Sequence, residues 1–146
     1  MLEKDGYIWK SNADVVCIPT HDNINYITGD LIMDIASQAK EFDSDVAYFF
    51  ARHVEAHGNT PCLFHRGINP NFCSLPIKFN PYDTPELDLI ERSIKLIVKI
   101  MDKDKKNLLK IALPRPGCGI NELDWETQVR PLIEPLLDDR FIIYNF

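Results

Sequence analysis

This sequence predicts an α/β fold: a mixed sheet covered by helices on both faces. Val15 to Thr20, VVCIPT, is a short apolar run rich in β-branched residues, and Leu108 to Leu113 is a second such run; both have the pattern of buried strands. Around them, apolar residues recur every three or four positions, the spacing of helices with one buried face. Through the second half of the chain the two patterns alternate, as they do in layered α/β proteins.

In chain order, Tyr7-Ile8-Trp9 reads as a short strand ended by a turn at Ser11-Asn12-Ala13. Val15 to Thr20 follows as a buried strand, and His21 to Asn25 is polar and loop-like. Ile32, Ile35, Ala36 and Ala39 sit at helical spacing behind Gly29-Asp30. Asp43-Ser44 suits the cap of a further helix with the stripe Val46, Phe49, Phe50 and Val54. Residues 61–66 and 74–79 read as strands around the loop GINPNF. Thr84 suits a helix cap and Pro85 a first helical residue, and Leu87, Ile90, Ile94, Ile97, Val98 and Met101 then share one face. After the Leu108 strand, Trp125, Val129, Leu132, Ile133 and Leu136 keep helical spacing across Pro131, which must kink or split that helix. Arg140 to Tyr144 closes as a strand.

Length and charge narrow the function. The 146 residues suit one domain, spanning residues 1–146, with a proper core. A net charge of −6 disfavours strong binding to duplex nucleic acid. Tight duplex binding at physiological salt would contradict that expectation; contacts to one terminal nucleotide would not. The run Lys103 to Lys106, KDKK, reads as a solvated helix end. No uncharged apolar stretch approaches the ~20 residues of a membrane span. The charged residues behind Met1 argue against a signal peptide, which points to a cytoplasmic protein with reduced thiols at Cys17, Cys62, Cys73 and Cys118. Cys62, His65 and Cys73 supply only three ligands without a second CxxC pair, so no metal is expected. No cofactor is expected either, and the chain is expected to be a monomer.

In layered α/β folds, ligands bind at the carboxyl ends of the strands. The segment there that carries chemistry is Leu113-Pro114-Arg115-Pro116-Gly117-Cys118-Gly119-Ile120. Its two glycines let backbone N–H groups turn toward an anion. It reads either as a diphosphate cradle or as an ordinary strand-to-helix turn. Cys118, between the glycines, reads as a small packing residue or as a thiol activated by a helix N-terminus.

The stretch ALPRPGCGINELDW resembles the second ligand loop of macro domains, and within them the terminal ADP-ribose-protein glycohydrolases and the antitoxins that strip ADP-ribose from DNA. Three other segments fall in the matching order. VVCIPTH resembles the strand that ends near the distal ribose, which places Thr20 and His21 there; relatives often carry Asn where His21 stands. LPIKFN resembles the strand carrying a lysine near the same ribose, a place taken by Lys78. FIIYNF resembles the closing strand, whose aromatic residues, here Tyr144 and Phe146, lie against the adenine. The resemblance runs from Val15 to Phe146 and implies a three-layer α/β/α macro-domain-like sheet. It implies ADP-ribose or an ADP-ribosylated macromolecule as partner, with Pro116, Gly117, Cys118, Gly119 and Ile120 around the diphosphate.

The sequence departs from the family in two places. The first ligand loop of the family, Met-Gly-x-Gly then Ala, is matched here by Met33-Asp34-Ile35-Ala36, which lacks both glycines. Either Gly29 serves a shifted loop, or the loop binds something less anionic, or it is closed. Asn121 stands where some catalytic relatives place Asp, and Asn cannot take up a proton at neutral pH. Lys78 reads either as a strand-end lysine reaching solvent or as an amine that attacks the opened sugar. His21 reads either as a surface loop histidine or as a ribose contact. Three functions follow: binding of ADP-ribose with weak removal of ADP-ribose from a modified macromolecule, an interaction module that has lost its ligand, or an ADP-ribose 1″-phosphate phosphatase.

Overall fold

The computed structural model describes residues 1–22, 34–80, 82–104, 106, 108 and 110–145. Among these residues six strands form one sheet in the order β1-β6-β5-β2-β4-β3. They are β1 (Leu2–Asp5), β2 (Val15–Thr20), β3 (Leu63–Phe64), β4 (Asn71–Pro76), β5 (Ile111–Pro114) and β6 (Phe141–Asn145). Every neighbouring pair is parallel except β3 with β4, so the sheet is mixed. The helices are α1 (Asp34–Phe42), α2 (Val46–His57), α3 (Leu87–Asp102) and α4 (Arg130–Ile133).

Alternation along the strands divides the core in two, because successive side chains point to opposite faces. Val16, Ile18, Ile142 and Tyr144 pack with Ile35, Ala39, Val46 and Phe50 from α1 and α2. Val15, Cys17, Leu75, Ile111 and Ile143 pack with Ile90, Ile94, Ile97 and Ile133 from α3 and α4. Helices therefore cover both faces, and the three-layer α/β/α arrangement is the one the sequence predicts. No helix among the described residues is long and apolar enough to cross a membrane.

Several element bounds differ from the sequence reading, each for a local reason. Ile8–Lys10 is a 3-10 turn rather than part of a strand. The first strand is instead Leu2–Asp5, which pairs in parallel with β6 although all four of its residues are exposed; a polar edge strand leaves no apolar period to read. α2 begins at Val46, with the Asp45 N–H donating to Asp43 Oδ1 at 2.9 Å. Phe49 of its predicted stripe is 39% exposed and stacks on Phe64 with ring centroids 4.5 Å apart. β3 keeps only two of the six residues predicted for it, and β4 starts earlier and ends earlier, at Asn71 and Pro76.

α3 starts two residues beyond Pro85, because the Glu86 N–H donates to Ile77 O at 2.9 Å and holds Glu86 extended. β5 begins only at Ile111. The last helical stretch is split, as Pro131 requires. Pro131 lacks an N–H and crowds the carbonyl four residues back, so Trp125–Val129 widens into a π turn in which the Arg130 N–H reaches Trp125 O. A 3-10 turn, Glu134–Leu136, follows α4.

Candidate functional site

The sheet order seats β2 between β5 and β4, so the segments leaving the carboxyl ends of these three parallel strands lie side by side. Thr20 and His21 leave the middle strand, Ile77 and Lys78 leave β4, and Arg115 to Glu122 leave β5. The Ile77 N–H donates to Thr20 O at 3.0 Å, and the Asp22 N–H donates to Phe79 O at 3.3 Å. These two bonds bracket His21 and Lys78 and hold them in adjacent chains. Thr20 and His21 are both buried, so His21 is not a surface loop residue. The buried Thr20 Oγ1 has no hydrogen-bond partner among the described residues, and leaving a hydroxyl so costs roughly 1–3 kcal/mol.

Lys78 is only 6% exposed. Its Nζ lies 3.4 Å from Glu122 Oε2, and its backbone carbonyl accepts from Asn59 Nδ2 at 3.2 Å. Glu122 belongs to the other side of the site. It is brought back by two turns: the Glu122 N–H donates to Gly119 O at 3.1 Å, and Asn121 adopts a φ of 61°. Asparagine is among the few side chains that tolerate this left-handed conformation. Asn121 itself is exposed, and the carboxylate that meets Lys78 comes from the next residue.

The glycine turn has a defined shape. Gly117 has a φ of 73°, and a Cβ there would lie 2.9 Å from Ile90 Cδ1, 3.0 Å from Pro85 Cβ and 3.2 Å from Leu123 Cδ1. Only glycine satisfies both limits. Its carbonyl accepts the Leu123 N–H at 2.9 Å, closing the loop on itself. The Cys118 N–H donates to Arg115 O. Ile120 is 93% exposed. Pro116 is buried at the start of the turn, and Arg115 lies over the Trp125 ring at 5.2 Å.

Cys118 is not an activated thiol. The next helical turn along the chain begins only at Trp125, so Cys118 does not open that helix. Burial pushes the thiol up to about 11, with the Arg115 cation opposing only in part. Alkylation of Cys118 by iodoacetamide at pH 7.5 is therefore expected to run about a hundredfold slower than that of an ordinary thiol; a rate equal to free cysteine would contradict this. Burial likewise raises Cys62 to about 11. Between pH 9 and 11 the unfolded chain then holds fewer protons at both thiols than the native protein does. Stability is expected to fall as pH rises through that window, read as a falling urea midpoint.

The remaining candidates lie apart from this cluster or outside the described residues. Tyr144 and Ile35 are buried in the core on the α1 and α2 side of the sheet, and the pleat puts Thr20 on that same face with Val16 and Ile18. Asp34 opens α1, and Ala36 lies in its first turn; their side chains, with all of Met33, Phe146 and Gly29, lie outside the described residues. All four cysteines are free. Among the described residues no group of three His, Cys, Asp or Glu side chains is placed to hold a metal. Cys62 and Cys73 are buried, whereas His65 is exposed. The residue that the sequence reading missed is Glu122; its signal was a carboxylate one position beyond Asn121, legible only once the left-handed turn is known.

No family model and no curated protein matches the sequence. Solved structures do. Thermosipho africanus DarTG in complex with ADP-ribose is 18% identical and superposes with a TM-score of 0.78 over 98% of this chain, which spans 41% of that chain's length. The macrodomain of Thermus aquaticus DarG, 16% identical, gives 0.79 over 99% of this chain and 97% of its own. The macrodomain of Mycobacterium tuberculosis DarG, also 16% identical, gives 0.77 with the same coverage. At these identities the likeness is one of fold.

Proposed function

On its macrodomain fold, we propose that this chain binds ADP-ribose, free or carried on a macromolecule, across the carboxyl ends of β5, β2 and β4. The observation that supports this most is the grouping of three unlike elements on adjacent strand ends: a buried hydroxyl without a partner among the described residues at Thr20, a buried lysine at Lys78, and a turn that requires glycine at Gly117. A nucleoside diphosphate sugar offers what each lacks. Its diphosphate suits the backbone N–H groups of the glycine turn, and its ribose hydroxyls suit Thr20, His21 and Lys78. Tyr144 and Phe146 are proposed for the adenine end. The likeness to a DarTG structure holding ADP-ribose supports the same ligand.

A second reading, removal of ADP-ribose from its carrier, is favoured by the burial of Lys78. As a neutral amine, Lys78 adds to the anomeric carbon of the distal ribose while the carrier leaves with the bonding pair and a proton. The ring then opens to an imine, and water returns the amine and releases ADP-ribose. An ammonium has no lone pair for this step, so Lys78 must first give up a proton.

Thermal denaturation with and without ADP-ribose tests the binding. A ligand at a hundred times its Kd adds about 2.7 kcal/mol to the native state, a rise in melting temperature of about 8 °C for a chain of this size. The same rise with glucose, or none with ADP-ribose, would contradict it.

A further inference from the structure

We infer that Glu122 sets which ligands this site accepts: those whose end beyond the diphosphate is uncharged and rich in hydroxyls, and not those that end in a further phosphate. The inference rests on the ADP-ribose reading above and sharpens it. One carboxylate oxygen, Oε2, is 3.4 Å from Lys78 Nζ. The other, Oε1, lies 2.5 Å from the point where a Cβ on Gly119 would stand. The carboxylate thus spans the space between the glycine turn and the lysine. Any group that a ligand carries from the turn toward Lys78 meets it.

Glu122 treats two kinds of group differently. A sugar hydroxyl donates to a carboxylate oxygen and accepts from the lysine ammonium, which has three N–H donors. It joins the ion pair without breaking it. An ionised phosphate has only acceptors to offer, so it meets the carboxylate with like charge and no proton to share. To take Lys78 for itself it must strip Glu122 of its cation, with that side chain only 20% exposed. Such a mismatch discriminates by repulsion as much as by attraction. It opposes the ADP-ribose 1″-phosphate phosphatase alternative and favours a substrate joined to a neutral carrier group at its distal ribose.

Calorimetric titration of wild type, Glu122→Gln and Glu122→Ala with ADP-ribose and with ADP-ribose 1″-phosphate tests it. Wild type is expected to bind ADP-ribose at least about tenfold more tightly, and both variants to bring the two ligands within about threefold of each other. The wild-type preference is also expected to shrink as salt rises from about 0.05 to 0.5 M, since the repulsion is screened; this arm needs no variant. Equal binding by wild type, a preference that survives in both variants, or one indifferent to salt would overturn the role of Glu122 and leave ADP-ribose binding intact. Failure of wild type to bind either ligand would overturn the ADP-ribose reading and this inference with it.

Discussion

Gly117→Val is expected to be the most damaging substitution in the glycine turn, costing about 2–5 kcal/mol of stability and abolishing ADP-ribose binding. Two effects add. A φ of 73° puts any L side chain in the left-handed region, which costs roughly 1–2 kcal/mol. The new Cβ would also stand 2.9 Å from Ile90 Cδ1 and 3.0 Å from Pro85 Cβ. These atoms belong to α3 and the segment leading into it, and crowding a packed core costs about 1–3 kcal/mol. Gly119 is different. Its Cβ would meet only the end of the flexible Glu122 side chain, so Gly119→Ala is expected to cost less than about 1 kcal/mol and to push the carboxylate off Lys78. Urea denaturation of both variants measures the order; a Gly119→Ala variant less stable than Gly117→Val would contradict it.

Lys78→Ala is expected to lower release of ADP-ribose from a modified carrier by about a hundredfold or more, while ADP-ribose binding falls far less. The lysine is buried beside the Glu122 carboxylate, so its replacement removes the amine proposed to attack the sugar. Asn121→Asp makes the useful comparison. Position 121 is exposed and adopts a φ of 61° that Asp also tolerates, so this change adds an acid without disturbing the turn. Single-turnover release from ADP-ribosylated protein and ADP-ribosylated DNA reads both. Brisk turnover unchanged in Lys78→Ala would remove the lysine mechanism; a gain in Asn121→Asp would mark a scaffold lacking only its acid.

The parts of the fold legible in the sequence are those written in burial. VVCIPT gives β2 residue for residue because a central parallel strand is covered on both faces and reads as a near-continuous apolar run, here Val15 to Pro19. α3 shows its stripe because Ile90, Ile94, Ile97 and Met101 are buried in the core, with Leu87 and Val98 of the predicted stripe half-buried beside them, although Leu89 and Ser93, outside that stripe, are buried too. β1 leaves no such trace: LEKD is a strand because β6 offers it a free edge, with the terminal ammonium bonded to Leu137 O at 3.0 Å. In the site, Gly117 announces itself through residue type, since few side chains can replace it. Glu122 does not. Its meeting with Lys78 spans 44 positions and depends on the backbone turn at Asn121, a property of φ rather than of pattern.

A calorimetric titration of the wild-type chain with ADP-ribose tests the central claim most directly, run beside Gly117→Val at a temperature where both remain folded. The expected result is saturable one-to-one binding by wild type that is lost in the variant. Equal heats from both proteins would place the ligand away from the glycine turn, and no binding by wild type would contradict the account.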